Sequence, residues 1–285
     1  MLYIDTFEFP DVERETSFIC GIQRTCYDSF YPFKVLSARS FERIDFEPVT
    51  ILYGGNGSGK TTALNVIAER VGVRRESVYN RTGFFQDYVD MCRIHLKAPV
   101  PGHSRIITSD DVFDYMLNVR MLNEGIDQKR EDVFEEYLDA KYSKFQLKSM
   151  ADYEKLKTVN NSRRKTQSKF VRENLMGNVR TYSNGESAYK YFVEQVEEDG
   201  LYLLDEPENS LSPKRQLELK QYIEDSARFF NCQFILSTHS PFLLSMRGAK
   251  IYDLDSDPVD VKRWTELENV RSYYEFFKDN ESAFR

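Results

Sequence analysis

Gly54-Gly55-Asn56-Gly57-Ser58-Gly59-Lys60-Thr61 matches G-x-x-x-x-G-K-[ST] in full and follows the apolar run Val49 to Leu52. Glycines at these spacings let the backbone curl so that successive N–H groups face one point. A helix starting at the end of the loop aims its positive end at the same point. Lys60 adds a full charge, so the ligand this arrangement suits is a polyphosphate, and the loop implies a nucleoside triphosphate. The Thr61 hydroxyl falls where a Mg2+ bridging the outer phosphates takes an oxygen ligand. Thr62 closes the loop with no assigned duty. Ala63, Leu64, Ile67, Ala68 and Val71 then recur at helical spacing until Gly72, so strand, loop and helix follow in the required order.

Three further groups carry chemistry. Gly200-Leu201-Tyr202-Leu203-Leu204-Asp205-Glu206-Pro207 is an apolar strand ending in two adjacent carboxylates, the form of a Walker B strand. Asp205 is placed to support the metal, while Glu206 can polarise the water that attacks the γ-phosphate. Ser183-Asn184-Gly185-Glu186 opens a helical pattern that ends near Gly200. Ser183 and Glu186 form a capping box, and a helix start of this kind either only caps or also presents a hydroxyl, N–H groups and a dipole to an anion. Gln233-Phe234-Ile235-Leu236-Ser237-Thr238-His239-Ser240-Pro241 reads as another buried strand with His239 just past its end. Its spacing from Glu206 leaves room for one helix, Pro213 to Phe230, and such a crossover makes the two strands parallel neighbours. There the imidazole can donate to the γ-phosphate or the attacking water.

In this order the four pieces resemble the ABC-class ATPases: phosphate loop, signature helix, Walker B with a glutamate, then a switch histidine. The resemblance implies a head-to-tail homodimer that encloses two ATP molecules, each held by one chain's loop and the other's signature. Gly54 to Thr62 and Mg2+ would then serve the chain's own ATP, with Thr61, Asp205 and Gln86 as metal contacts. Glu206 would be the base and His239 the γ-phosphate sensor, while Ser183, Gly185 and Glu186 would meet the partner's ATP. Gln86, in Phe84-Phe85-Gln86-Asp87, stands for the Q-loop or is simply an exposed glutamine before a helix. The usual Leu-Ser-Gly-Gly-Gln signature is altered by Asn184 and Glu186, and Ser210-Leu211-Ser212-Pro213 lacks the D-loop aspartate. Ser-x-Gly-Glu, Asp-Glu-Pro-Glu-Asn-x-Leu-x-Pro and Ser-Thr-His-Ser-Pro look most like stand-alone prokaryotic AAA-family ATPases. Those are similar to the SMC and overcoming-lysogenization-defect branch, which works with nucleic acids or in phage defence.

The elements that must position these residues predict an α/β P-loop NTPase fold of ABC type. It has a mostly parallel core sheet, an N-terminal antiparallel β layer and an inserted helical lobe. Residues 1–100 carry the β layer and loop, 101–182 the charged helical lobe, and 183–285 the signature, Walker B and histidine. Phe33 to Leu36 and Phe41 to Phe46 read as strands of the layer, where Tyr31 or Phe33 either stacks on adenine or packs in the core. Lys250 to Leu254 reads as a last strand and Val270 to Phe277 as a helix. Trp264, Tyr273, Tyr274, Phe276 and Phe277 either close the core, the preferred reading, or form a partner surface.

The chain is 285 residues long and has a net charge of −7. No run of eighteen apolar residues exists and the amino terminus is acidic, which predicts a soluble cytoplasmic protein. Cys20, Cys26, Cys92 and Cys232 form no C-x-x-C pair, and Cys92 with His95 makes only half a zinc site. Residues 139–180 hold eleven Lys or Arg and four acids, a charge of +7 that leaves −14 elsewhere. That asymmetry suits a nucleic acid, an acidic partner, or merely a solvated helical face. The reading that follows is Mg-dependent ATP hydrolysis by an ATP-enclosing homodimer used as a conformational switch in a nucleic-acid-linked or defence system, beside a separate effector protein. A transporter's ATP-binding subunit and a non-hydrolysing nucleotide-gated scaffold remain alternatives.

Overall fold

Three runs, Val-Thr-Ile-Leu-Tyr, Leu-Tyr-Leu-Leu-Asp and Gln-Phe-Ile-Leu-Ser, are too short and too uniformly apolar to pair anywhere but in the middle of a sheet covered on both faces. They form β3 (Val49–Tyr53), β6 (Leu201–Asp205) and β7 (Gln233–Ser237). The computed structural model describes residues 1–22, 26–143, 153–175, 177–178 and 184–284. With β5 (Arg105–Thr108), β8 (Lys250–Asp253) and β9 (Asp260–Val261), these strands make a sheet of order β5-β6-β7-β3-β8-β9. All its pairings are parallel except β8 with β9. Ile51, Leu52, Leu203, Ile235 and Leu236 are fully buried there, and each such side chain contributes roughly 1.5–3 kcal/mol of hydrophobic stabilisation.

The β layer is a separate antiparallel sheet, β2-β1-β4, from β1 (Ile4–Glu8), β2 (Arg43–Asp45) and β4 (Arg93–Leu96). One buried amide joins the two sheets. Gln233 accepts from the N–H groups of Tyr3 and Ile4 and donates to the Ile4 carbonyl, at 2.8 to 2.9 Å. Phe33 to Leu36 is not a strand: Lys34 has φ +64°, and its N–H is bound by the Glu15 carboxylate. Glu15 belongs to α1 (Val12–Gly21), which starts at Asp11 as N-cap. Helix α2 (Lys60–Val71) follows the glycine loop and α3 (Phe85–Met91) precedes β4. Helix α7 (Asn184–Gln195) leads to β6, and α8 (Pro213–Phe229) crosses from β6 to β7. Helices α9 (Pro241–Leu244) and α10 (Glu268–Asp279) follow.

The chain divides into two units, Met1–Phe113 with Asn184–Arg285, and Asp114–Ser183. Because β5 belongs to the main sheet, residues 101–113 go with the first unit. The second holds most of α4 (Ser109–Tyr142), α5 (Tyr153–Arg164) and α6 (Gln167–Asn174). Its own core includes Ile126, Tyr137, Val159 and Phe170, with the Tyr137 and Phe170 rings 5.4 Å apart. Of the dense basic cluster, Arg163 donates to the Ser143 carbonyl and Lys165 pairs with Glu173.

The carboxyl-terminal aromatics do not close the core. In α10 only Val270 is buried, whereas Tyr273, Tyr274, Phe276 and Phe277 are 47% to 61% exposed. The helix is tied down at its first turn, where Asn269 N donates to the Tyr53 hydroxyl at 3.2 Å and its side-chain amide to the His239 carbonyl at 2.9 Å. No helix among the described residues is long and apolar enough to cross a membrane.

Candidate functional site

The loop from Gly54 to Gly59 links β3 to α2, and two of its glycines are required by close approach. A Cβ on Gly54 would lie 2.5 Å from Ser58 Oγ. Gly59 has φ +98°, and a Cβ there would lie 3.0 Å from Leu36 and 3.3 Å from Val35. The Phe33 to Ser37 turn thus serves as a buttress beneath the loop. It is fixed by Glu15, which accepts from Lys34 N at 2.6 Å and Ser37 Oγ at 2.8 Å.

Around the loop lies a cavity of about 330 Å3 lined by Asn56 to Thr62, Tyr31, Val35 and Glu206. That volume is at the lower end of small-ligand sites, ~300–1,000 Å3. Lys60 is buried and donates to the Gly54 and Gly55 carbonyls at 2.7 and 2.9 Å. Its ammonium stands 3.7 Å from Glu206 Oε1. Thr61 Oγ1 donates to Asp205 Oδ1 at 3.1 Å, and Ser237 Oγ donates to the same oxygen at 2.7 Å. Asp205 and Ser237 are register partners across β6 and β7, so the sheet itself sets this contact. Burial pushes the Asp205 carboxyl above its ordinary value, partly offset by its two hydroxyl donors. Glu206, at φ +47°, turns sharply out of the strand, and its Oε2 accepts from Asn209 at 3.0 Å.

The structure thus brings Gly54 to Thr61, Asp205 and Glu206 together. Thr62 turns to the Tyr31 hydroxyl, 3.1 Å away, so Tyr31 lines the cavity while Phe33 is buried against Phe18. His239 lies outside the loop cavity. Its Nδ1 is 3.4 Å from Glu208 Oε1, which also accepts from His239 N and Thr238 Oγ1. Gln86 is not brought to the loop either. It lies in the first turn of α3, exposed, donating to Asp90 at 3.0 Å and accepting from Arg81 at 3.4 Å. The i,i+4 partner on its own helix holds it there.

Ser183 lies outside the described residues. Asn184 starts α7, Gly185 sits near Ser210 and Ser212, and Glu186 pairs with Arg215 Nη2 of α8 at 3.1 Å. The altered signature is therefore packed on the segment that follows Glu206. Cys92 and His95 do not meet: Cys92 is buried and donates to the Tyr88 carbonyl, while His95 faces Asp5. Among the described residues no group of three or more His, Cys, Asp or Glu is placed to hold a metal.

Sequence reasoning missed Ser237, Glu208, Asn209 and Asp255. Asp255 Oδ2 accepts from Gly55 N at 2.7 Å, two hundred positions away in the chain. Nothing in local pattern signals that contact. Glu208 and Asn209 stand inside the Asp-Glu-Pro-Glu-Asn run, where their nearness to Glu206 was a signal.

The chain contains what a phosphate-and-magnesium site needs. Thr61 and Asp205 offer hard oxygens side by side, and Ser58 Oγ in the loop is buried with no partner among the described residues. Residues 103–245 match the family model described as "AAA domain, putative AbiEii toxin, Type IV TA system". No curated protein matches the chain. Among solved structures, the Smc head domain from Pyrococcus furiosus, with an extended coiled coil and bound to the C-terminal domain of ScpA, is similar at 13% identity and TM-score 0.45. That match covers 96% of this chain and 100% of the other. The SMC head domain from Thermotoga maritima is similar at 13% identity and TM-score 0.37, over 78% and 92%. An inward-facing putative metal-chelate type ABC transporter is similar at 15% identity and TM-score 0.36, over 80% and 78%. Since the family match spans half of the sequence and contains both the paired carboxylates and the histidine, the chain belongs to this AAA-domain family of P-loop ATPases.

Proposed function

We propose that the protein hydrolyses ATP to ADP and phosphate with Mg2+, and that ATP joins two copies of the chain into a dimer that works as a switch. The observation that supports this best is that Lys60, Thr61 and Glu206 line the loop cavity while the Thr61 hydroxyl binds Asp205. Bound Mg2+ would supply charge neutralisation at the outer phosphates, with Thr61 and Asp205 as the residues that hold it. Lys60 shares its ammonium between two loop carbonyls and Glu206. A polyphosphate takes that charge over, and Glu206 is then released to accept the proton of the attacking water as the γ-phosphoryl group passes to oxygen. Asn209 keeps the Glu206 carboxylate turned toward the cavity. His239, fixed through its backbone by Glu208, is the candidate γ-phosphate donor once the dimer closes.

Residues 183, 185 and 186 are read as contacts to the partner's ATP. The family description supports a place in a toxin–antitoxin system, to which we add a defence role beside a separate effector chain. The basic residues between 139 and 180 are the proposed contact with nucleic acid. Steady-state hydrolysis with Mg2+ for wild type and Glu206→Gln, with and without double-stranded DNA, tests the scheme. Loss of turnover in the variant with ATP binding kept, and DNA stimulation of the wild type, support it. Undiminished turnover in Glu206→Gln would contradict the assigned base, and indifference to DNA would contradict the nucleic-acid contact.

A further inference from the structure

Away from the loop, a cavity of about 290 Å3 is lined by Arg74, Arg75, Arg105, Glu76, Asp111 and Tyr191. The backbone builds it. Arg74 pairs with Arg105 in a parallel bridge, with Arg74 N donating to the Ser104 carbonyl at 2.9 Å and Ile106 N to the Arg74 carbonyl at 3.0 Å. The segment after α2 is thereby zipped onto the free edge of β5, and Arg75 and Arg105 are carried to the same cavity.

Both guanidinium groups are incompletely satisfied. Arg75 Nη2 donates to Asn65 at 2.6 Å and its plane lies 4.1 Å from the Tyr79 ring centre, yet Nη1 is buried with no partner among the described residues. Arg105 Nη1 donates to Gln195, yet Nε is likewise buried without a partner. Arginine stays charged, so a buried N–H of this kind lacks an acceptor at a high cost. Of the cavity's two carboxylates, Asp111 is held by Thr108, and Glu76 is shared between two other lining residues, Arg105 and Tyr191. Asp111 Oδ2 accepts from Thr108 N and Oγ1 at 2.7 and 2.9 Å. The Glu76 side chain is 65% exposed, stands 3.5 Å from Arg105, and takes the Tyr191 hydroxyl at 3.3 Å. Three arginines and two carboxylates line the cavity.

Two guanidinium groups that line one small cavity suit a compact oxyanion with several acceptor oxygens. We propose that this cavity is a second phosphate site, in which Arg75 and Arg105 bind inorganic phosphate or the phosphoryl group of a small phosphomonoester. It shares no lining residue with the loop cavity and does not depend on the ATPase reading. It is nonetheless one hydrogen bond from α2 through Asn65 and one strand from Asp205, since Thr108 is the register partner of Asp205.

The test uses the full chain carrying Lys60→Ala, which removes the loop's own ammonium, titrated calorimetrically with inorganic phosphate and with ribose 5-phosphate. One phosphate should bind this protein, and adding Arg75→Gln or Arg105→Gln should weaken it about tenfold or more, the effect of losing a charge-assisted bond. Adding Glu76→Gln, at an exposed position the fold tolerates, should tighten binding severalfold by removing a competing charge. This variant keeps the test open if an arginine variant does not fold. Ribose 5-phosphate binding tighter than phosphate identifies a phosphomonoester site, and equal affinity identifies a free-phosphate site. No binding to the Lys60→Ala protein, or binding indifferent to all three further changes, overturns the proposal.

Discussion

The loop end of the main sheet and the start of α7 carry equally polar residues but use them differently. At the loop, Lys60, Thr61, Asp205 and Glu206 are held within hydrogen-bond or ion-pair distance of one another around a cavity. At α7, Gly185 and Glu186 are spent on the Ser210 to Arg215 segment. The first region is complete in one chain for gripping a polyphosphate. The second is braced against the segment behind Glu206. A strand end that needs its partner strand to set Asp205 against Ser237 is a property of the sheet, whereas a helix start presents N–H groups whatever it faces.

Breaking the loop should have the largest effect. Lys60→Ala removes the central cation, and ATP affinity measured by calorimetry should fall about a hundredfold or more, in line with the loss of buried charge-assisted bonds. Glu206→Gln should cut turnover about a hundredfold to ten-thousandfold, the range for a positioned base, while ATP affinity changes little. Gly59→Ala places a Cβ against Leu36 at positive φ. Chemical denaturation should show about 1–3 kcal/mol lost, with ATP binding weakened as the loop shifts.

Asp205 separates function from stability. Burial raises its folded pKa above the ordinary carboxyl value. A raised carboxyl favours the fold below its unfolded pKa and loses that contribution as pH rises through the folded pKa. At pH 7 the ionised group therefore costs stability. Asp205→Asn should melt higher than wild type at pH 7 without nucleotide and lose that advantage toward pH 4, while Mg-dependent hydrolysis is abolished. The smallest effect belongs to α7. Arg215→Ala breaks a part-exposed pair with Glu186, so the melting temperature should hardly move, and only association in ATP should weaken.

The sequence made the loop, the paired carboxylates and the three core strands legible because each is a local pattern whose spacing is dictated by ligand or sheet geometry. It hid whatever depends on contacts far apart in the chain. Asp255 reaches Gly55 only through the β3 and β8 pairing. Phe33 to Leu36 has a strand-like composition but is bent at Lys34 by a carboxylate nineteen residues earlier. Gln86 has the right residue type, yet a partner on its own helix turns it away. The aromatics of α10 look like core because composition does not reveal which face of the helix is covered, and only Val270 is buried there.

The most direct test of the claim that α7 serves the other chain's ATP is complementation between two inactive proteins. Lys60→Ala has a dead loop and an intact α7. Gly185→Asp has an intact loop and a negative charge where a phosphate is proposed; its Cβ has room at 3.7 Å from Ser210 O, and helix starts accept aspartate. Each alone should be inactive. Random pairing makes mixed dimers with one complete site, so an equal mixture should recover hydrolysis to about a quarter of wild type. A mixture as inactive as its two components would contradict the account and place α7's contribution, if any, within its own chain.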